Sequence, residues 1–152
     1  MSSTRRPSAG TPGGAVKNPR RGGGLEEAKR QEQALKGAAV AFDLTSEVAS
    51  LRKESAWTRT GRHAKTLLVQ PDLRIVLTAL RAGLRLQEHK AEGTLSVQVL
   101  EGFLRIHLPE RVVDLPVGHV LALDRLVGHD VEAVEDSIFL VSSSWRRGQL
   151  GG

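Results

Sequence analysis

The chain has no cysteine, so neither disulfide bridges nor thiolate metal sites are open to it, and nothing in it calls for an oxidising compartment. It has no run of 18 apolar residues, and no apolar stretch follows its basic N-terminus as a signal peptide would require. A membrane-spanning helix and an export signal at Arg5 and Arg6 are therefore not expected, and the cytoplasm is the expected compartment. No glycine-rich loop both follows a strand and opens a helix, so phosphate-cradling nucleotide motifs are missing too. Tryptophan is scarce. Trp57 and Trp145 stand at the two ends of a β-rich region, where docking of terminal segments is the expected role.

The formal net charge of +5 suggests a nucleic-acid partner until it is divided along the chain. Residues 1–36 carry eight basic and three acidic side chains, while residues 37–152 carry 14 of each sign. The whole excess lies in the N-terminal segment, and the remainder has no basic character to attract phosphates. That segment is rich in Gly, Ser, Pro and Arg and poor in apolar residues, so residues 1–40 read as a disordered tail. Its Arg20-Arg21-Gly22-Gly23-Gly24 run is one RGG-like unit without an aromatic neighbour, which makes a linker the better reading than an RNA contact. Leu25 to Lys36 has the composition of a marginal helix.

Compact structure is expected over residues 41–146, with 147–152 a flexible end. Asp43 or Thr45 can cap a short helix whose apolar positions are Val48, Leu51 and Trp57, packed on the outside of the strands after it. Nine short strands are expected near Lys65 to Val69, Arg74 to Leu80, Leu84 to His89, Leu95 to Leu100, Phe103 to Leu108, Arg111 to Leu115, His119 to Leu123, Val131 to Val134 and Ile138 to Ser142. Turn signals such as Pro71-Asp72, Ala82-Gly83, Glu101-Gly102 and Pro116 to Gly118 separate them. Short strands with no long helix between them predict an all-β, antiparallel sandwich or barrel.

Two histidines in this region are framed by glycines. Gly83, five residues, His89 and then Gly102 form one frame, and Gly118 and His129 form the other, with a hairpin's length, Phe103 to Val117, between them. This pattern resembles the cupin superfamily, whose motifs read G-x5-H-x-H-x(3,4)-E-x6-G and G-x5-P-x-G-x2-H-x3-N, over roughly Lys65 to Ser142. The resemblance implies a small jelly-roll barrel and, in the metal-binding members, a divalent transition ion held by three histidines and a glutamate. This chain departs from that set. Ala91 stands at the second histidine position and Leu95 at the glutamate position, while Asp124, Leu126 and Ala133 replace the second motif's Pro, Gly and Asn.

Two imidazoles leave a metal short of protein donors. If the first frame slips by two residues, Gln87 and His89 share a strand face, and Glu92 adds a carboxylate from the next turn, so these are the accessory candidates for Fe, Mn, Zn, Ni or Cu. The alternative is that no metal is held and that His89 and His129 are inward-facing residues hydrogen-bonded to each other, to water or to Gln98. His63 and His107 are expected at the surface, and His119 at the start of a strand. Ser142-Ser143-Ser144 reads as a strand end rather than a nucleophile, and Asp124 and Asp130 as turn residues.

Three functions are expected from these residues. The first is a barrel that binds a small molecule in a pocket lined by His89, Ala91, Leu95, Gln98 and His129. The second is a metal-dependent enzyme of the oxygenase or isomerase type, using His89 and His129. The third is a structural module, dimeric through the apolar Arg74 to Leu80 strand, whose tail meets a polyanion. A homodimer is compatible with all three.

Overall fold

The computed structural model describes residues 33–35 and 37–144, apart from the side chains of Glu88 and His89. Residues 1–32 and 36 of the expected tail, with most of its marginal helix, and Trp145 lie outside these residues; within the described part of that segment the Leu35 amide donates to the Gln70 side chain at 2.7 Å. Contacts divide the chain between Ala34 and Leu35, and every helix and strand named here lies in the second unit.

The first helix, α1 (Leu44–Arg52), begins where expected. Asp43 is its N-cap and accepts hydrogen bonds from the Thr45 and Ser46 amides at 3.1 and 3.3 Å, satisfying donors that the first turn leaves unpaired. A further bond from the Ser46 hydroxyl is the main cause holding the Asp43 carboxyl below its ordinary value. Val48 and Leu51, three apart and thus on one face, are its buried residues. The helix does not run on to Trp57. That residue belongs to a second short helix, α2 (Ser55–Thr60), which Gly61 ends in a left-handed conformation, φ 75, with its N–H bonded to the Trp57 carbonyl. The Arg81 guanidinium lies 4.8 Å from the Trp57 ring centre and donates to the same carbonyl, tying α2 to the sheet below.

Nine strands come next: β1 (Arg62–Val69), β2 (Leu73–Leu80), β3 (Arg85–His89), β4 (Thr94–Glu101), β5 (Phe103–His107), β6 (Val112–Pro116), β7 (Val120–Leu123), β8 (His129–Ala133) and β9 (Ser137–Ser144). They make a five-stranded sheet in the order β1-β2-β9-β4-β7 and a four-stranded sheet in the order β3-β8-β5-β6, all paired antiparallel. Each predicted strand matches one of these, with ends displaced by a few residues. β2 corrects one expectation. Its neighbours β1 and β9 take both its edges, so Arg74 to Leu80 offers no ladder to a second copy.

Alternation along the strands sorts side chains into two layers. Leu80, Val97, Val99, Leu104, Ile106, Leu115, Val131, Ala133 and Phe139 fill the space between the sheets. The outer face of the five-stranded sheet presents Leu77, Ala79 and Ile138 to Val48, Leu51 and Trp57 of the helices. That apolar cover explains why β2 reads as a nearly continuous hydrophobic run: both its faces are packed. No described helix is long and apolar enough to cross a membrane.

Candidate functional site

The glycines of the two frames behave as a set. Gly83, Gly102 and Gly118 adopt φ 88, 88 and 86, backbone that favours a residue without a Cβ. Leu126, which stands where the family pattern has its fourth glycine, has φ 64 and is the only non-glycine with positive φ among the described residues. The turn has kept a glycine's backbone under a leucine side chain. Its amide donates to the Ala91 carbonyl at 2.8 Å, so the two frames are bonded to each other at that point.

A bulge sets the two histidines opposite each other in backbone register. Leu86 pairs with Val131, so an unbroken ladder would set Glu88 opposite His129; an extra residue between Leu86 and His89 brings His89 into that place instead. His129 is 3% exposed, on the same face of β8 as the buried Val131 and Ala133. Its Nδ1 lies 3.1 Å from the Val127 carbonyl. A carbonyl only accepts, so Nδ1 carries the hydrogen, the ring orientation is set, and in the neutral ring Nε2 is the accepting nitrogen.

Burial falls in one direction along the inward faces of β2, β5, β6 and β9, whereas on β7 Leu123 is buried and Leu121 half-buried, and Leu95 of β4 is buried at the same end as Leu123. Leu104 and Ile106 are fully buried and Leu108 is half-buried; Leu115 gives way to Val113, Phe139 to Val141, and Leu80 through Thr78 to Val76 in the same manner. Each of these sequences opens toward the end of the barrel where β8 begins with His129. The other end is closed for most of its width, with Leu84 its half-buried exception. The open end is apolar: Leu86, Ala91, Leu108, Val113, Val127 and Val141 are the partly buried members of the interior cluster there.

The predicted site residues separate on this geometry. Ala91 packs against the interior cluster, Leu95 is buried within it, and His129 is at the open end. Gln98 is exposed, on the face of β4 opposite Leu95, Val97 and Val99, and stands beside Leu140 on the outside of the five-stranded sheet. Gln87 and Glu92 are exposed as well. The ladder is irregular between Leu86 and His89, so the strict two-residue alternation assumed for Gln87 and His89 does not run through this stretch. Leu86, Leu108, Val113, Val127 and Val141 were not among the expected pocket residues, although all but Val127 lie on expected strands whose alternation turns them inward.

His107 is part-buried on the outer face, 2.7 Å from Glu132, whose carboxyl it holds below the usual range mainly by that hydrogen bond. Asp130 pairs with Arg85 at 3.0 Å rather than lying free in a turn, and Asp124 is exposed in the turn before Arg125. His119 is exposed immediately before β7. Ser142, Ser143 and Ser144 end β9 and line a shallow groove of about 190 Å³ with Thr94 and Ser96.

Among the described residues no group of three or more His, Asp or Glu is placed to hold an ion. Of the four positions at which metal-binding cupins carry ligands, Ala91 has no donor and Leu95 is an apolar core residue, leaving only His89 and His129. That is one protein ligand fewer than an open catalytic site ordinarily uses.

No family model matches the sequence, and no curated protein matches it. Solved structures do match the fold. A conserved protein of unknown function from Streptococcus pyogenes is 22% identical over 73% of this chain and 91% of that one, with a TM-score of 0.59. An RmlC-like cupin protein from Desulfovibrio desulfuricans is 26% identical over 72% of this chain and 96% of its own, with a TM-score of 0.52. Salicylate 1,2-dioxygenase from Pseudaminobacter salicylatoxidans is 18% identical over 68% of this chain and 34% of that longer one, with a TM-score of 0.61.

Proposed function

On the premise that this is a cupin-fold chain, we propose that the barrel is a binding module for a small molecule, taken at the open end beside His129. The observation that carries this reading is a buried imidazole of set orientation at the one end where an otherwise apolar interior becomes partly exposed. Apolar walls with few oriented polar groups select a compact, mostly apolar molecule with one hydrogen-bonding function. Leu86, Leu108, Val113 and Val141 supply the walls, and the backbone of His89 is in register with that of His129. The short donor set favours binding over metal-dependent chemistry.

The test is a thermal-shift screen of the full chain against small aromatic and aliphatic acids, alcohols and amides. A true ligand at 100 times its Kd raises stability by about 2.7 kcal/mol. Val141→Trp, which fills the open end, should abolish the shift while leaving the circular dichroism spectrum unchanged. A ligand whose shift survives both Val141→Trp and His129→Phe binds elsewhere and overturns the assignment.

A further inference from the structure

Away from the open end, one polar side chain is buried with nothing in the chain to bond. Thr78 is 8% exposed, and its hydroxyl has no hydrogen-bond partner among the described residues. Alternation puts it on the inward face of β2, since Leu77 and Ala79 on either side of it pack under the helices and Leu80 belongs to the interior cluster. The oxygen is nonetheless not sealed in. Among the described residues the fully enclosed side-chain oxygens without a hydrogen bond are Glu47 Oε1 and Asp130 Oδ1, and Thr78 Oγ1 is not one of them, so it keeps contact with solvent. A buried hydroxyl without a partner costs free energy, and solvent access lets a ligand supply one.

The approach to this hydroxyl lies on the β1 side. The register sets Arg62 opposite Leu80, Ala64 opposite Thr78 and Thr66 opposite Val76, all on the same face. Burial drops across that step: Leu80 and Thr78 are buried, whereas Arg62 and Ala64 are exposed. β1 is the edge strand of its sheet, and Ala64 has only a methyl group with which to cover its neighbour. On the other flank Phe139, opposite Thr78 on β9, is fully buried. Arg62 is the diagonal neighbour of Thr78, a relation in which Cβ atoms stand about 7–8 Å apart, within reach of a long side chain. Its backbone bonds to the Thr60 hydroxyl, but its guanidinium takes part in no ion pair or hydrogen bond among the described residues.

We propose that Arg62 and Thr78 hold the carboxylate of a small organic acid on the flank of the barrel, at a site separate from the open end beside His129. The planar guanidinium fork matches the two oxygens of a carboxylate, and the Thr78 hydroxyl donates to one of them. A carboxylate offers acceptors only, which suits two donors with no acceptor to satisfy in return. The charge also fits: one unpaired cation balances a monoanion and leaves a phosphate dianion half compensated. Ala64 and the half-buried Val76 give a short apolar floor, so the acid is a short aliphatic or single-ring one. Because Arg62 is exposed, water competes for it, and dissociation in the range of about 1 mM is expected.

The test is an NMR titration of the isotope-labelled full chain with sodium benzoate at constant ionic strength, with benzamide as the uncharged isostere. Benzoate should shift the amides of Arg62, Ala64 and Thr78, and benzamide should bind about tenfold more weakly or worse. Arg62→Gln and Thr78→Val should each weaken benzoate by about tenfold, while Val141→Trp leaves it unchanged. Thr78→Val carries a second readout. Its hydroxyl has no partner to lose, so the ligand-free variant should unfold at the same urea concentration as the wild type or a higher one. A lower midpoint shows that the hydroxyl is bonded within the protein and overturns the proposal. So does the absence of binding up to about 50 mM benzoate, or binding that Arg62→Gln or Thr78→Val leaves intact. Binding that Val141→Trp abolishes assigns the acid to the open end and overturns the separate site.

Discussion

Replacing Gly102 by alanine should damage this protein far more than replacing the other frame glycines. A Cβ at Gly102 would lie 2.3 Å from the Asp136 carbonyl oxygen, 2.4 Å from Ser137 Oγ and 2.7 Å from Ser137 Cα. Two of these atoms are backbone and the third is engaged. Ser137 is 1% exposed, its Oγ accepts from the Phe103 amide at 3.0 Å, and its hydroxyl lies 2.7 Å from the Glu135 carbonyl it donates to. Left-handed backbone costs an alanine about 1–2 kcal/mol. Overpacking adds about 1–3 kcal/mol, and disturbing the Ser137 bonds about 1 kcal/mol each. The expected loss is about 4–7 kcal/mol, a large part of the stability of a domain this size.

Gly83 and Gly118 share the positive φ but have nothing within 4 Å of the added carbon, so Gly83→Ala and Gly118→Ala should lose only the conformational part, about 1–2 kcal/mol. Urea unfolding followed by circular dichroism gives all three from midpoint shifts at constant slope. If Gly102→Ala falls within about 1 kcal/mol of the other two, the clash with the Ser137 turn is not real and the steric argument fails.

Leu126→Gly relieves the one positive-φ non-glycine among the described residues at little cost in burial, because Leu126 is 59% exposed. It should be neutral or stabilising by up to about 1 kcal/mol, and a clear loss in the same urea assay would show that the leucine side chain carries a packing or binding role. Asp43→Asn keeps a cap but removes a titrating group. Because the folded Asp43 carboxyl lies below its ordinary 3.8, its stabilisation is complete above that pH and is lost as pH falls through the depressed value. Melting temperatures of wild type and variant, compared from pH 7 to pH 2.5, should converge at the acid end; a constant gap would refute the linkage.

The strands were legible because turn residues cut the apolar pattern at short intervals, and the frames were legible because left-handed turns favour glycine at Gly83, Gly102 and Gly118. The cap at Asp43 and the buried pair Val48 and Leu51 were equally local. Gln87 and Gln98 were misplaced for two different reasons. Gln98 follows strict alternation, and its outward side was decided by which face of β4 the other sheet covers. Gln87 lies at a bulge, and a bulge is a property of two paired strands rather than of either one.

By itself, then, the sequence determined what depends on near neighbours: nine strands, a capped helix, glycine turns, and two histidines set in frames of the right length. Only the tertiary structure decided what depends on pairing. It brought His89 opposite His129, enclosed β2 between two neighbours, and aligned Arg85, Glu132, Arg105 and Asp114 into one row from four separate strands. The physical reason is register. A one-residue shift in pairing reverses every side chain of a strand, and register is set by contacts between segments distant in the chain.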